Sequence, residues 1–338
     1  MPTHPLEPPA EPPRRRPFVV DCQTHLFLPE VLDAMRWRTT EPLVFDRDGT
    51  TFLKMGDWLR KVPPHYASVA DKLAMMDSSG IDHALLSTND PGPEWFAGDG
   101  PRIAATIHDA LTALAARHPT RFSWLATLPL QDEAAARAEL DRCRSLPGFR
   151  GILLYTNLAG AWCDEAPFHW LFAQAEQLGL PLVLHPAKPL TTAAVSGYEL
   201  TGTLGNMFED TIALARIIAS GLLDRHPDLK LVCPHLGGAL PYLCGRMDHQ
   251  LGVLKRGPQH LAKKPSDYLR GIFMDIVSPL PEALRFALDF TTADKLLFAS
   301  DHPWVEAPEI LGTLRQLGLP ADTEAKILGG NAQRLFGL

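Results

Sequence analysis

The stretch FVVDCQTH, residues 18–25, has the composition of a buried β-strand that ends in polar side chains. Successive side chains of a strand point to opposite faces, so Asp21, Gln23 and His25 share one face of this strand. Taken alone, the pattern is also explained by polar side chains that are buried and satisfied by hydrogen bonds. The rest of the chain decides whether this face carries a function.

Seven further apolar runs of similar length follow the first one. The eight runs are FVVDCQTH (18–25), HALLST (83–88), FSWLATLPL (122–130), GILLYT (151–156), PLVLHPA (181–187), KLVCPHLG (230–237), IFMDIVS (272–278) and LLFASDHPW (296–304). Amphipathic stretches such as RIAATIHDALTALAARH (102–118) lie between them, and several end in helix stop signals.

A strand–helix unit repeated eight times predicts a parallel sheet with crossover helices. In 338 residues this favours an α/β (β/α)8 TIM barrel. A doubly wound open sheet is the alternative, weakened because no GxGxxG motif follows the first run. We expect one barrel domain at 18–338 with long loops at 28–82 and 188–229. A disordered leader rich in Pro and Arg is expected at 1–17.

Charge and composition exclude several classes of function. The net charge of −7 gives no basic footprint for nucleic acid, and no run of 18 apolar residues indicates a membrane span. The five cysteines are scattered and form no CxxC pair. This usage is typical of reduced thiols, so we expect a cytoplasmic protein.

Polar residues recur where the predicted strands end. Gln23 and His25 end the first run, His185 the fifth, His235 the sixth and Asp301 the eighth. In a TIM barrel the carboxyl ends of all strands meet at one mouth, where reactive groups lie. Imidazole and carboxylate groups there predict a site for one divalent metal such as zinc. Such an ion makes bound water acidic, and a free histidine or carboxylate can transfer protons.

These segments resemble the amidohydrolase superfamily, in the branch of aminocarboxymuconate semialdehyde decarboxylase and the non-oxidative aromatic acid decarboxylases. The matching segments are FVVDCQTHLFLPE, HPTRFSWLATLPLQD, GFRGILLYTN, LPLVLHP, HLGGALPYLCGR and LFASDHPW. The resemblance covers nearly the whole chain after residue 17. It implies that His25, His185 and Asp301 bind metal, that His235 is the active-site histidine, and that Arg246 binds a carboxylate. It also implies a homodimer, in which such an arginine can reach across the interface.

One position departs from the branch pattern D-x-H-x-H, because Gln23 stands at the usual first histidine. Three outcomes are open. Gln23 ligates through its amide oxygen, which favours manganese or magnesium; or it bonds only to a water on the metal; or the metal is lost. The last outcome would leave a metal-free barrel that binds a ligand without turnover.

The residues allow two reactions on a small carboxylate or carbonyl compound. We expect decarboxylation of an unsaturated or aromatic carboxylic acid, with His235 and Asp301 as proton-transferring groups and Arg246 on the carboxylate. The alternative is hydrolysis of an ester, lactone, amide or imine by the same groups. For Arg246, a helix salt bridge with Asp248 is an equal alternative. The loop aromatics that could shape the pocket are Trp58, Trp95, Phe96, Tyr155 and Trp162, although packing explains each of them as well.

Overall fold

The fold is taken from a computed structural model, which describes residues 16–338. The predicted leader lies outside these residues, except for Arg16 and Pro17. Arg16 forms an ion pair with Asp82, at 2.6 Å between the nearest nitrogen and oxygen. Arg16 therefore already contacts the barrel domain, four residues before β1 begins at Val20.

Eight parallel strands form the barrel, and all eight predicted runs contribute one strand each. In barrel order they are β1 (Val20–His25), β5 (His83–Ser87), β6 (Phe122–Thr127), β7 (Phe149–Tyr155), β10 (Leu182–His185), β11 (Leu231–Cys233), β12 (Phe273–Asp275) and β13 (Leu296–Leu297). Backbone hydrogen bonds close the ring between the last and first strands, from Cys22 N to Phe298 O and from Asp301 N to Gln23 O, both 3.0 Å. The predicted TIM barrel is confirmed, and the open sheet is wrong.

Helices cover the outside of this barrel. They are α1 (Pro29–Arg36), α2 (Val69–Ser79), α3 (Gly100–Arg117), α4 (Glu133–Cys143), α5 (His169–Leu178), α6 (Thr192–Val195), α7 (Asn206–Ala219), α8 (Leu222–Arg225), α9 (Leu240–Asp248), α10 (Pro265–Gly271), α11 (Pro281–Phe290), α12 (Ala307–Gln316), α13 (Ala321–Ala325) and α14 (Asn331–Phe336). The residues of β1, β5 and β6 are all buried. Strands covered on both faces explain why their sequences are nearly continuous apolar runs.

The two long connections carry secondary structure of their own. Residues 28–82 contain α1, α2 and an antiparallel sheet of β2 (Leu43–Arg47), β3 (Thr50–Met55) and β4 (Trp58–Lys61). Residues 188–229 contain α6, α7 and α8. A small hairpin of β8 (Asn157–Leu158) and β9 (Ala161–Trp162) follows β7. None of the helices in residues 16–338 combines the length and the hydropathy needed to cross a membrane.

The first strand, β1, is irregular between Asp21 and Thr24. Asp21 pairs with Ala84 and Thr24 with Leu86, so β1 has one residue more than β5 over this interval. This is a β-bulge, a feature that redirects side chains and is common beside active sites. The side chains of β1 therefore do not alternate strictly between the two faces of the strand at Cys22 and Gln23.

Candidate active site

Three barrel strands bring His25, His185 and Asp301 together. The two histidines are the last residues of β1 and β10, and Asp301 follows β13. The Nε2 atoms of His25 and His185 are 2.9 Å apart, and Nε2 of His25 is 3.1 Å from Oδ1 of Asp301. All three side chains are buried. Two imidazole nitrogens and a carboxylate oxygen at this spacing form a donor set suited to a divalent metal ion.

The other ring nitrogens of the two histidines are held from outside the cluster. Nδ1 of His185 donates to the Pro186 carbonyl at 2.8 Å, which leaves Nε2 unprotonated, with a lone pair that can bind a metal. Burial and the neighbouring His25 lower the pKa of His185 well below its usual value, so its ring is neutral. Nδ1 of His25 is 2.9 Å from Oγ of Ser87. Contacts of this kind orient metal-binding histidines, and these residues therefore fit a metal.

Gln23 lies beside the cluster with an unpaired amide oxygen. Its Nε2 is 3.5 Å from Oδ1 of Asp301, and its Oε1 has no hydrogen-bond partner although only 2% of the residue is exposed. A buried acceptor without a partner costs about 1–3 kcal/mol. A cation within reach of Oε1 would remove that cost. This orphaned oxygen is a second observation that fits a metal site, and ligation by Gln23 stays a prediction.

His235 lies between two carboxylates. Its Nδ1 is 2.8 Å from Oδ2 of Asp210, and its Nε2 is 3.5 Å from Oδ2 of Asp301. Burial disfavours the charged ring, but the hydrogen bonds with Asp210 and Asp301 outweigh burial and raise the pKa of His235 well above its usual value. These contacts favour the protonated ring, and they place Nε2 of His235 next to the predicted metal ligands, where a group that transfers protons would lie.

Unusual backbone conformations place both His235 and Asp301. Their φ angles are 52° and 59°, in the left-handed region that is rare for residues other than glycine. Oδ1 of Asp275 accepts the backbone N–H of His235 at 2.8 Å, which helps to hold this turn. Strain of this kind is typical of active sites, where the surrounding structure maintains it.

Arg246 makes no described hydrogen bond or ion pair with the cluster among residues 16–338. It is exposed on α9, where it lines a groove of about 500 Å³ between α7 and α9. Among residues 16–338 it forms no ion pair, and Asp248 instead accepts hydrogen bonds from the backbone and side chain of Ser266. The salt bridge with Asp248 is therefore wrong, and the role of Arg246 stays a prediction.

Sequence reasoning missed three residues that support the site: Ser87, Asp210 and Asp275. For Asp210 a signal existed, because it shares a helix face with Ala213, Leu214 and Ile217, which are all buried. A carboxylate on the apolar face of an amphipathic helix is unusual and needs a partner.

Of the five loop aromatics, Tyr155 has a described contact with a site residue. Its ring centroid is 5.9 Å from that of His185, and its hydroxyl donates to the Thr88 carbonyl. The others with described ring contacts pack against arginines: Trp58 with Arg60, Phe96 with Arg38 and Trp162 with Arg216. Packing therefore explains these three, as the sequence allowed.

A second group of possible ligands, His108, Glu139 and Cys143, lies on α3 and α4. Nε2 of His108 accepts the backbone N–H of Thr127 at 3.0 Å, so Nδ1 carries the proton and donates to Glu139. A metal on Nδ1 would leave that imidazole without either proton, and Arg142 already pairs with Glu139. This group is a buried hydrogen-bond network and does not fit a metal.

A parallel barrel with histidines and an aspartate clustered at its strand ends defines the class of TIM-barrel enzymes that use a divalent metal. Within that class, the family model described as Amidohydrolase matches residues 20–338, and the chain belongs to this metal-dependent family.

Individual relatives include decarboxylases. The chain is 32% identical over 323 residues to gamma-resorcylate decarboxylase of Polaromonas sp. strain JS666, covering 88% of this chain and 96% of the relative. It is 27% identical to 2-amino-3-carboxymuconate-6-semialdehyde decarboxylase of Dictyostelium discoideum, covering 84% and 80%. A crystal structure of dihydroxybenzoic acid decarboxylase from Polaromonas sp. JS666, with manganese and 2-nitroresorcinol, superposes with a TM-score of 0.80 at 25% identity. It covers 95% of this chain and 97% of that chain. The predicted branch of the superfamily is confirmed.

Proposed function

We propose that this protein is a metal-dependent carboxy-lyase that removes CO₂ from an aromatic carboxylic acid without an oxidant. The observation that carries the proposal is the position of His235, with Nε2 3.5 Å from Oδ2 of Asp301, at the mouth of a barrel whose relatives include decarboxylases. Those relatives favour cleavage of a carbon–carbon bond over the alternative of hydrolysis. The substrate class inferred from them is a small aromatic carboxylate, and hydroxybenzoates are the first to test.

We infer that one divalent ion is held by His25, His185 and Asp301, with the amide oxygen of Gln23 as a fourth donor. A divalent ion held by these residues would supply Lewis acidity towards an oxygen of the substrate. Zinc suits the two imidazole nitrogens, and the oxygen donors also suit manganese. The metal-free barrel is the competing possibility, and metal analysis of the purified protein tests it.

The reacting proton comes from His235. Its Nε2–H transfers a proton to the ring carbon that bears the carboxylate, which makes that carbon tetrahedral. The bond to the carboxylate carbon then breaks, its electron pair restores the aromatic ring, and CO₂ leaves. Water returns a proton to His235, so the reaction needs no redox partner. Asp301, which lies 3.5 Å from Nε2, favours the protonated ring before transfer.

We further propose a homodimer in which Arg246 serves the site of the partner subunit. The α9 surface that carries it also presents exposed Tyr242, and Val253 just beyond α9 is exposed too. Large apolar side chains around a groove are typical of a protein interface. An arginine contributed there would bind the substrate carboxylate through two parallel hydrogen bonds. We also infer a cytoplasmic location, because none of the five cysteines is in a disulfide.

The decisive experiment incubates purified protein, with bound metal quantified, with 2,6-dihydroxybenzoate and other hydroxybenzoates beside a panel of esters. We expect CO₂ release from at least one acid and, in D₂O, one deuterium at the carbon that lost the carboxylate. Activity confined to esters would overturn the lyase proposal, and a folded protein without metal would overturn the metal site. His226→Asn, which removes a histidine away from the strand ends, should leave CO₂ release unchanged, since His226 pairs with Glu176 in a half-buried contact between α5 and the end of α8.

A further inference from the structure

Asp210 is a buried carboxylate whose described side-chain contact is with His235. It lies on α7 with 0% exposure, and its Oδ2 is 2.8 Å from Nδ1 of His235. Its second oxygen, Oδ1, has no hydrogen-bond partner. A buried carboxylate is costly unless it is paired, and the imidazole of His235 is the partner described for the Asp210 side chain.

The turn that carries His235 packs directly on α7. Gly238 has a φ of +60°, and a Cβ at this position would lie 2.5 Å from both Met207 O and Thr211 Oγ1. The backbone N–H of Ala239 donates to the same Thr211 hydroxyl at 2.8 Å. Only a glycine allows this approach, which brings the ring of His235 within reach of Asp210.

We propose that Asp210 is a positioning residue that fixes the proton of His235 on Nδ1 and thereby aims Nε2 at the substrate. This inference rests on the proposed function of His235 as the proton donor. Throughout the reaction Nδ1–H stays hydrogen-bonded to Asp210, and only the proton on Nε2 moves to the substrate carbon and is replaced from water. A carboxylate that orients a catalytic imidazole by accepting from Nδ1 is a recurrent device in enzymes.

The neighbouring carboxylates have different tasks. Asp275 accepts the backbone N–H of His235, so it holds the turn rather than the ring. Glu209, adjacent on α7 and equally buried, bonds to Nδ2 of Asn157 and to the backbone of Leu190, away from His235.

Burial raises the pKa of Asp210 to about 6, and the contact with His235 opposes this rise, so the carboxylate is largely ionised at neutral pH.

The kinetic test compares Asp210→Asn with Glu209→Gln in protein of known metal content. We expect kcat of Asp210→Asn to fall about 100-fold with KM and bound metal within about twofold of wild type. Glu209→Gln keeps one of the two acceptor oxygens, which bond to Asn157 and Leu190, and changes nothing at His235, so it should retain kcat within about threefold. A kcat of Asp210→Asn near the wild-type value, or a loss that merely follows lost metal or lost fold, would overturn the inference.

A spectroscopic test does not require any activity. In zinc-loaded protein with ¹⁵N-labelled histidine, we expect a slowly exchanging low-field proton on Nδ1 of His235, assigned by its loss in His235→Asn. It should disappear in Asp210→Ala and persist in Glu209→Gln. Finding that nitrogen unprotonated in wild type would refute the positioning role, even if the protein proves to be a decarboxylase. Finding it protonated would uphold the contact, even if the decarboxylase proposal fails.

Discussion

Nζ of Lys72 lies 2.8 Å from Nδ1 of His302, the residue after Asp301. The lysine is 1% exposed, and it also donates to Oγ1 of Thr24 at 2.5 Å. A side chain from an outer helix therefore joins the ends of the first and last barrel strands, directly behind the predicted metal ligands. Burial lowers the pKa of Lys72 to about 8, against the opposing attraction of Asp21.

We predict that Lys72→Met destabilises the fold by about 3 kcal/mol, because it leaves two buried acceptors without a donor and a buried Asp21 without a nearby cation. Urea unfolding at pH 7 measures this. Lys54→Met is the matched control, since Lys54 pairs with Glu41 at the surface and should change stability by less than about 1 kcal/mol. Equal effects of the two substitutions would contradict the role given to Lys72.

The unpaired oxygen of Gln23 predicts a measurable contribution to metal binding. Gln23→Leu removes that donor, so we expect the affinity for manganese to fall about 10- to 100-fold, measured by calorimetry on metal-stripped protein. Gln23→His supplies an imidazole instead and should raise the preference for zinc over manganese. If Gln23→Leu binds both ions as wild type does, Gln23 is not a ligand.

Most of the barrel was predictable because its strands are buried on both faces, which makes each one a nearly continuous apolar run. The metal-binding candidates were predictable for a related reason. His25 and His185 end such runs, and a polar side chain there contributes little to hydrophobic packing. Asp210 could not be assigned to His235 in the same way. Its partner is 25 residues away along the chain, and the contact depends on the tight turn at Gly238.

The antiparallel sheet within residues 28–82 was missed although its sequence contained a signal. Asp48 and Gly49 connect β2 to β3 with φ angles of 51° and 72°, the conformation of a two-residue hairpin turn that favours Asp-Gly. The flanking strands are only half buried, so their weak hydrophobic pattern concealed them. Turn chemistry would have been the better guide here.

Buried His108 predicts a loss of stability in mild acid. Burial lowers its pKa, with Glu139 opposing, and a second proton would break the bond that Nε2 accepts from Thr127. The unfolded ring titrates near 6.5, so this contribution is complete above about pH 6.5 and is lost as pH falls towards the lower folded pKa. One such group changes stability by at most about 1.4 kcal/mol per pH unit.

The check is urea unfolding between pH 7 and pH 5. His108→Gln should be less stable than wild type at pH 7, because a buried contact is lost, but should lose less stability on acidification. His249→Gln, which alters an exposed histidine, should follow the wild-type slope. Parallel slopes for wild type and His108→Gln would show that another group controls the acid transition.

Arg246 predicts that active sites are shared between subunits. We expect His235→Asn and Arg246→Ala to be nearly inactive alone, and their co-expressed mixture to regain activity. In a mixed dimer, the subunit with intact His235 receives the arginine of its partner, so one site of two is complete. Random pairing makes half of the dimers mixed, which gives about a quarter of wild-type activity.

As a control, the double variant His235→Asn/Arg246→Ala mixed with wild type should leave activity only in wild-type dimers, about a quarter again. If Arg246 served its own subunit, the first mixture would stay inactive, and the second would keep about half of the wild-type activity.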